Sequence, residues 1–146
     1  MKAARMKLIA PVLFFFISVA SVSAFASDYE GVKVTLIKKA TTAANGQKLA
    51  YVNSENPEIT VALVEIPPGG DTGWHSHPIL VYAYILSGEI TVALEGGGQY
   101  DFKEGEAILE VINTPHIGRN NGKAPVKLVV FYTGAEGGQN TIKVAK

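Results

Sequence analysis

The sequence predicts an all-β domain, either a barrel or a sandwich of two sheets, and three observations carry that prediction. From Gly31 onward, short runs rich in β-branched and aromatic residues are separated by Gly, Pro and Asn. No stretch sustains an apolar repeat at helical period. Ile90, Val92 and Leu94 alternate with Thr91, Ala93 and Glu95, the period-two pattern of a half-buried strand. In chain order, a strand is predicted at 32–37, followed by a loop at 40–44 and a turn at Asn45-Gly46 that leads to a strand at 49–52. The strand at 59–66 is stopped by Pro67-Pro68-Gly69-Gly70, and the strand at 80–86 turns at Ser87-Gly88 into 89–94. Gly96-Gly97-Gly98 closes a hairpin to 100–102, and Glu104-Gly105 leads to 107–112. Asn121-Gly122 precedes 126–132, whose alternation weakens after Lys127 and so predicts cover on both faces, and 141–144 is the last strand.

Residues 1–26 read as a cleavable signal peptide rather than as part of the fold, leaving 27–146 as one domain. Lys2, Arg5 and Lys7 form a basic start, residues 8–19 are apolar but for Pro11 and Ser18, and Ala24-Phe25-Ala26 fits a small-x-small cleavage site. The expected location is therefore periplasmic or secreted. The apolar stretch is short of the roughly 20 residues a membrane span needs, so no membrane attachment is expected after cleavage. Those three basic residues leave the remainder with a net charge of about −3, and it has no basic cluster, which excludes a nucleic-acid partner. The chain has no cysteine, so disulfides, thiolate ligands and thiol nucleophiles are all excluded.

The chemistry concentrates in three histidines. On an extended segment His75 and His77 point to the same face, about 6 to 7 Å apart along the chain, which suits joint capture of one ion. His116 follows Pro115 one strand after Gly105, where a neighbouring strand can bring it opposite the pair. Neutral imidazole nitrogens suit Fe, Mn, Ni, Cu or Zn better than Mg or Ca, so the expected cofactor is one divalent transition metal ion.

The stretch Gly70-Asp71-Thr72-Gly73-Trp74-His75-Ser76-His77, closed by Gly88, and the later Gly105, Pro115, His116 and Asn120 resemble the two halves of the cupin motif in order. The resemblance spans Glu65 to Tyr132. It implies a double-stranded β-helix, or jelly-roll, barrel with a metal inside its mouth, usually assembled as a homodimer through the outer strands. One departure stands out. The family's carboxylate ligand falls at Val81, four residues after His77, so the resemblance implies a three-histidine variant whose fourth ligand the sequence does not name. Without that carboxylate, an ion would attract an anionic ligand more strongly.

Trp74, Val81 and Ile85 are the expected pocket residues, Trp74 at the rim and the other two lining a small apolar interior. Tyr82 and Tyr84 have the opposite parity and are expected to pack outside. Asn120 is expected to order the turn before Asn121-Gly122, and Glu65 and Glu110 to face solvent. No catalytic acid or base is identified; no Gly-x-Ser-x-Gly elbow is present, and no Lys-Ser or Lys-Thr follows the glycine run. The expectation is an exported metal-binding cupin, a metal-dependent and dioxygenase-like enzyme acting on a small oxygenated organic compound. The alternative is a non-catalytic periplasmic module that binds or senses a small ligand.

Overall fold

The structure, a computed structural model, describes residues 30–145; the predicted signal peptide lies outside the described residues. Two units divide the chain, Met1–Thr35 and Leu36–Lys146. The described part of the first is a turn at Glu30 and Gly31 followed by chain outside any strand.

The second unit is all-β. Its strands are Pro57–Ile66 (β1), His75–Ser76 (β2), Leu80–Ser87 (β3), Glu89–Leu94 (β4), Gln99–Lys103 (β5), Ala107–Leu109 (β6), His116–Arg119 (β7), Val126–Ala135 (β8) and Ile142–Lys143 (β9). They form a four-stranded sheet in the order β1-β8-β3-β6 and a five-stranded sheet in the order β5-β4-β7-β2-β9, with antiparallel ladders throughout. This is the jelly-roll arrangement, two sheets sharing one interior.

Alternation decides what fills that interior. On β8, Val126, Leu128 and Val130 are buried while Lys127 and Phe131 are exposed. The core joins Ile66, Val81, Ala83, Ile85, Ile108, Val126, Leu128 and Val130 from the first sheet to Ile90 from the second. Each valine, leucine or isoleucine among them contributes about 1.5–3 kcal/mol by leaving water. On the outer face of the first sheet, Ile59, Val61 and Leu63 are more than half exposed, and Val61 stands opposite Phe131 in the ladder.

Gly88 alone makes the turn between β3 and β4. Its φ is +84°, and a Cβ there would come within 3.0 Å of the Pro125 carbonyl oxygen, so only glycine lets β4 leave so closely beneath β8.

The two predicted strands nearest the N-terminus, 32–37 and 49–52, are absent. A strand needs a neighbour for its backbone groups, and β-branched composition supplies none. Instead, 41–49 folds into a short hairpin, bridged at Thr42 and Lys48, whose Gln47 side chain donates to the Ile112 carbonyl at 2.9 Å and accepts from its N–H at 2.7 Å. Ala43 and Leu49 of this hairpin pack with Leu94 and Val111. The predicted strand 107–112 ends at Leu109. The short strands β2 and β7 carry histidines and were not predicted, because two and four residues are too few to show a period.

Candidate metal centre

The register of the second sheet assembles the histidines. His75 on β2 stands directly opposite His116 on β7, with ring centroids 4.4 Å apart. His77, just beyond β2, keeps the parity of His75 and turns its ring inward too, with centroids 4.9 Å from His75 and 5.2 Å from His116. The i, i+2 reading of the pair therefore holds, and the third histidine arrives through a cross-strand pairing. Asn113, the single non-glycine residue with positive φ among the described residues (55°), turns the chain between β6 and β7; its N–H donates to the His77 carbonyl at 2.8 Å. Asparagine tolerates that conformation at little cost.

Each ring is held by the nitrogen that faces away from the centre. The Nδ1–H groups donate to backbone carbonyls: His75 to Gly73 at 2.8 Å, His77 to Asn140 at 2.7 Å and His116 to Thr114 at 2.8 Å. With Nδ1 carrying the proton, the neutral ring presents a lone pair at Nε2, the tautomer a metal ligand requires.

The structure adds a fourth member and corrects one expectation. Glu110 does not face solvent. Its Oε2 lies 3.0 Å from His77 Nε2 and 3.1 Å from His116 Nε2, with the side chain only 18% exposed. Ligand atoms of His75, His77, Glu110 and His116 all lie within 4.8 Å of one another. Adjacent ligands on an ion at about 2.1 Å are separated by about 3.0 Å in an octahedron, so two edges of this cluster already have the right length. The donor set of three imidazoles and one carboxylate fits a divalent transition metal.

Glu110 also explains the valine at 81. The ladder between β3 and β6 pairs Tyr82 with Leu109, and one step further the Glu110 N–H donates to the Val81 carbonyl at 3.0 Å. Cross-strand neighbours project from the same face. The carboxylate absent from β3 thus stands one strand away, over the same part of the interior. The sequence offered a hint, since Ile108 and Glu110 share parity, but which face turns inward is set by the β3–β6 register.

Electrostatics follow from the contacts. Burial alone would raise the Glu110 pKa, but hydrogen bonds and charges from His116 and His77 outweigh it and hold the carboxyl at about 2. For His116, burial favours the neutral ring, yet the Glu110 hydrogen bond and charge prevail and raise its pKa above the ordinary value. His75 goes down, chiefly through burial, with His116 and His77 adding to the effect. Carboxylate and His116 together thus favour positive charge in the space between rings and carboxylate, where a cation fits.

The cluster opens into a cavity of about 300 Å³. Val64, Ile66, Ile90, Val92, Leu128 and Val130 form much of its wall, and Thr72, Tyr132, Thr141 and Lys143 add polar groups. Trp74, Val81 and Ile85, the expected pocket residues, are not part of this lining. Trp74 precedes His75, so its side chain has the opposite parity, and its carbonyl accepts from the Val144 N–H at 2.9 Å. Val81 and Ile85 do point inward but are sealed in the core with no exposed surface. Asn120 orders its turn as expected, donating to the Ile66 and Ala124 carbonyls and accepting from the Gly122 N–H, each at 2.9 Å. Tyr132, Thr141 and Lys143 were not anticipated, because their positions at the cavity depend on ladders between strands far apart in the chain.

Residues 62–132 match the profile of the cupin domain family. Solved structures with the same fold include an oxalate decarboxylase from Lactobacillus farciminis in complex with formate (24% identity, TM-score 0.52), matched over 59% of this chain and 26% of that one. A DMSP lyase from Ruegeria pomeroyi matches at 21% identity and TM-score 0.51, over 59% of this chain and 43% of that one. A protein from Bacillus halodurans matches at 27% identity and TM-score 0.50, over 58% and 69%. The chain thus spans about a quarter of the decarboxylase and under half of the lyase. No curated protein sequence matches. With the profile match over residues 62–132 and the two-sheet jelly roll built around them, this stretch of the chain is a cupin domain.

Proposed function

We propose that this chain is an exported metal-dependent enzyme, dioxygenase-like in its chemistry, that acts on a small oxygenated organic compound at His75, His77, His116 and Glu110. One observation carries the reading: three imidazoles, each locked through Nδ1 to a backbone carbonyl, gather with one carboxylate at the head of a cavity, ligand atoms within 4.8 Å of one another and two of the rings turning Nε2 onto that carboxylate. Such prior fixing of ligand orientation is what a metal site needs from its surroundings. A bound Fe, Mn, Ni, Cu or Zn ion would supply Lewis-acid or redox chemistry to an oxygen of the substrate.

The chain's own groups do the rest. Glu110 offsets part of an ion's charge, the carbonyls of Gly73, Thr114 and Asn140 hold the rings in place, and the aliphatic walls exclude water around the reacting end of a small ligand. Tyr132 stands in the wall with its ring against His77, centroids 5.7 Å apart; burial and the Glu110 charge keep its hydroxyl protonated. It is positioned to donate a hydrogen bond into the cavity. The proposal extends to export through residues 1–26 to the periplasm or beyond, and to a homodimer that covers Ile59, Val61, Leu63 and Phe131. The few polar groups in an otherwise aliphatic wall favour a second reading, a periplasmic module that binds or senses a small ligand without turning it over.

Elemental analysis of the purified protein, followed by an oxygen-uptake screen against phenolic and dicarbonyl compounds, tests both. The expected result is close to one transition-metal ion per chain, lost in His77→Ala with an unchanged far-ultraviolet circular dichroism spectrum. A folded wild type that takes up none of the five metals overturns the proposal. Full metal content without turnover leaves the binding module.

A further inference from the structure

Lys143 enters the site from outside the span that matches the cupin domain. It lies on β9, which pairs with β2 so that Lys143 stands opposite His75, while His75 stands opposite His116 on its other side. His116, His75 and Lys143 therefore form one cross-strand row on one face of the sheet, with neighbouring Cβ atoms about 5 Å apart. The backbone of this strand is pinned. Val144 donates to the Trp74 carbonyl at 2.9 Å, the Asn140 carbonyl receives His77 Nδ1–H at 2.7 Å, and Asn140 Nδ2 donates to Thr60 Oγ1 at 3.1 Å. Lys143 is exposed, lines the cavity and takes part in none of the ion pairs among the described residues.

We propose that Lys143 makes this cavity selective for small monocarboxylates, its ammonium gripping one carboxylate oxygen while the other faces the histidine cluster. The inference deepens the metal-site reading and rests on it for the second half of that grip. Charge points to an anion. A divalent ion beside the Glu110 carboxylate keeps one positive charge in excess, and Lys143 adds another beside it. The wall points to a carboxylate with an apolar body. One ammonium and the hydroxyls of Thr72, Thr141 and Tyr132 are too few donors to satisfy a phosphate dianion, whereas the aliphatic surface suits a short hydrocarbon chain.

Butyrate and its uncharged counterpart butyramide test the proposal, titrated by calorimetry and by fluorescence of Trp74, the chain's one tryptophan, next to His75. Wild type, Lys143→Met and Lys143→Arg are compared, each with and without Zn, after metal content and circular dichroism have been measured. Butyrate affinity is expected to fall about tenfold in Lys143→Met and to return to within about threefold of wild type in Lys143→Arg, with butyramide unaffected and metal content equal in all three. Equal butyrate affinity in wild type and Lys143→Met at full metal content overturns the role of Lys143 and leaves the metal site standing. Failure of butyrate to bind any of the three overturns it as well. A wild type that takes up no Zn yet binds butyrate through Lys143 upholds the lysine grip and refutes the metal reading.

Discussion

Replacing Glu110 by glutamine removes the one negative charge of the histidine cluster while keeping its shape. Two magnitudes follow, the first from the structure and the second from general metal-ligand chemistry. In the metal-free protein the Glu110 carboxyl sits at about 2 against an ordinary 4.5, a preference for the ionised form of about 3 kcal/mol. Because the folded value is the lower one, this stabilisation is complete above pH 4.5 and disappears as pH falls toward 2. Thermal melts of wild type and Glu110→Gln should thus differ most at neutral pH and converge in acid. For the metal-loaded protein, loss of a mere supporting partner costs about 10- to 100-fold in affinity, so loss of a direct ligand is expected to cost about 100-fold or more. Competition against a chelator measures it. The cross-strand argument adds a sharper test, since Val81 and Glu110 are neighbours through the 3.0 Å bond between their backbones. The double exchange Val81→Glu with Glu110→Val keeps the total volume and should restore affinity to within about tenfold of wild type. A Glu110→Gln protein that binds metal as tightly as wild type refutes the ligand assignment. A folded double exchange that stays as weak as the single variant refutes the claim that the carboxylate has only moved one strand.

Metal affinity should fall as pH drops through the neutral range, because an ion must displace the proton that Glu110 helps His116 to hold; calorimetry in buffers of different ionisation enthalpy would register that proton's release. In the metal-free protein the same raised pKa has the opposite sign from that of Glu110. Its stabilisation is present below pH 6.5 and lost as pH rises through the folded value, so melts across pH 6 to 8 should decline, and should flatten in Glu110→Gln. Gly88→Ala should cost about 2–3 kcal/mol, roughly 10 °C in Tm, since it adds strain at φ +84° to a contact of 3.0 Å with Pro125. Gly137→Ala, at φ +72° with nothing within 4 Å, should cost about 1 kcal/mol; equal losses in the two would show that backbone conformation alone matters at Gly88.

By itself, the sequence determined the all-β class and most of the long strands, because side-chain alternation and glycine turns are local properties that survive without knowing the partner strand. It also determined the histidine set, since residues 75 and 77 share a face on any extended chain and His116 is the one other imidazole available. The tertiary structure alone decided which groups meet there. Glu110 looks solvent-facing beside its apolar neighbours and becomes a partner of His77 and His116 only through the β3–β6 register. Lys143 reaches the cavity only because β9 pairs with β2; Trp74 falls outside the lining because its parity is opposite to that of His75, and Val81 and Ile85 because they are sealed in the core. The strands expected at 32–37 and 49–52 fail for the same reason: a strand exists where another chain segment answers its hydrogen bonds, and that answer is a matter of long-range pairing.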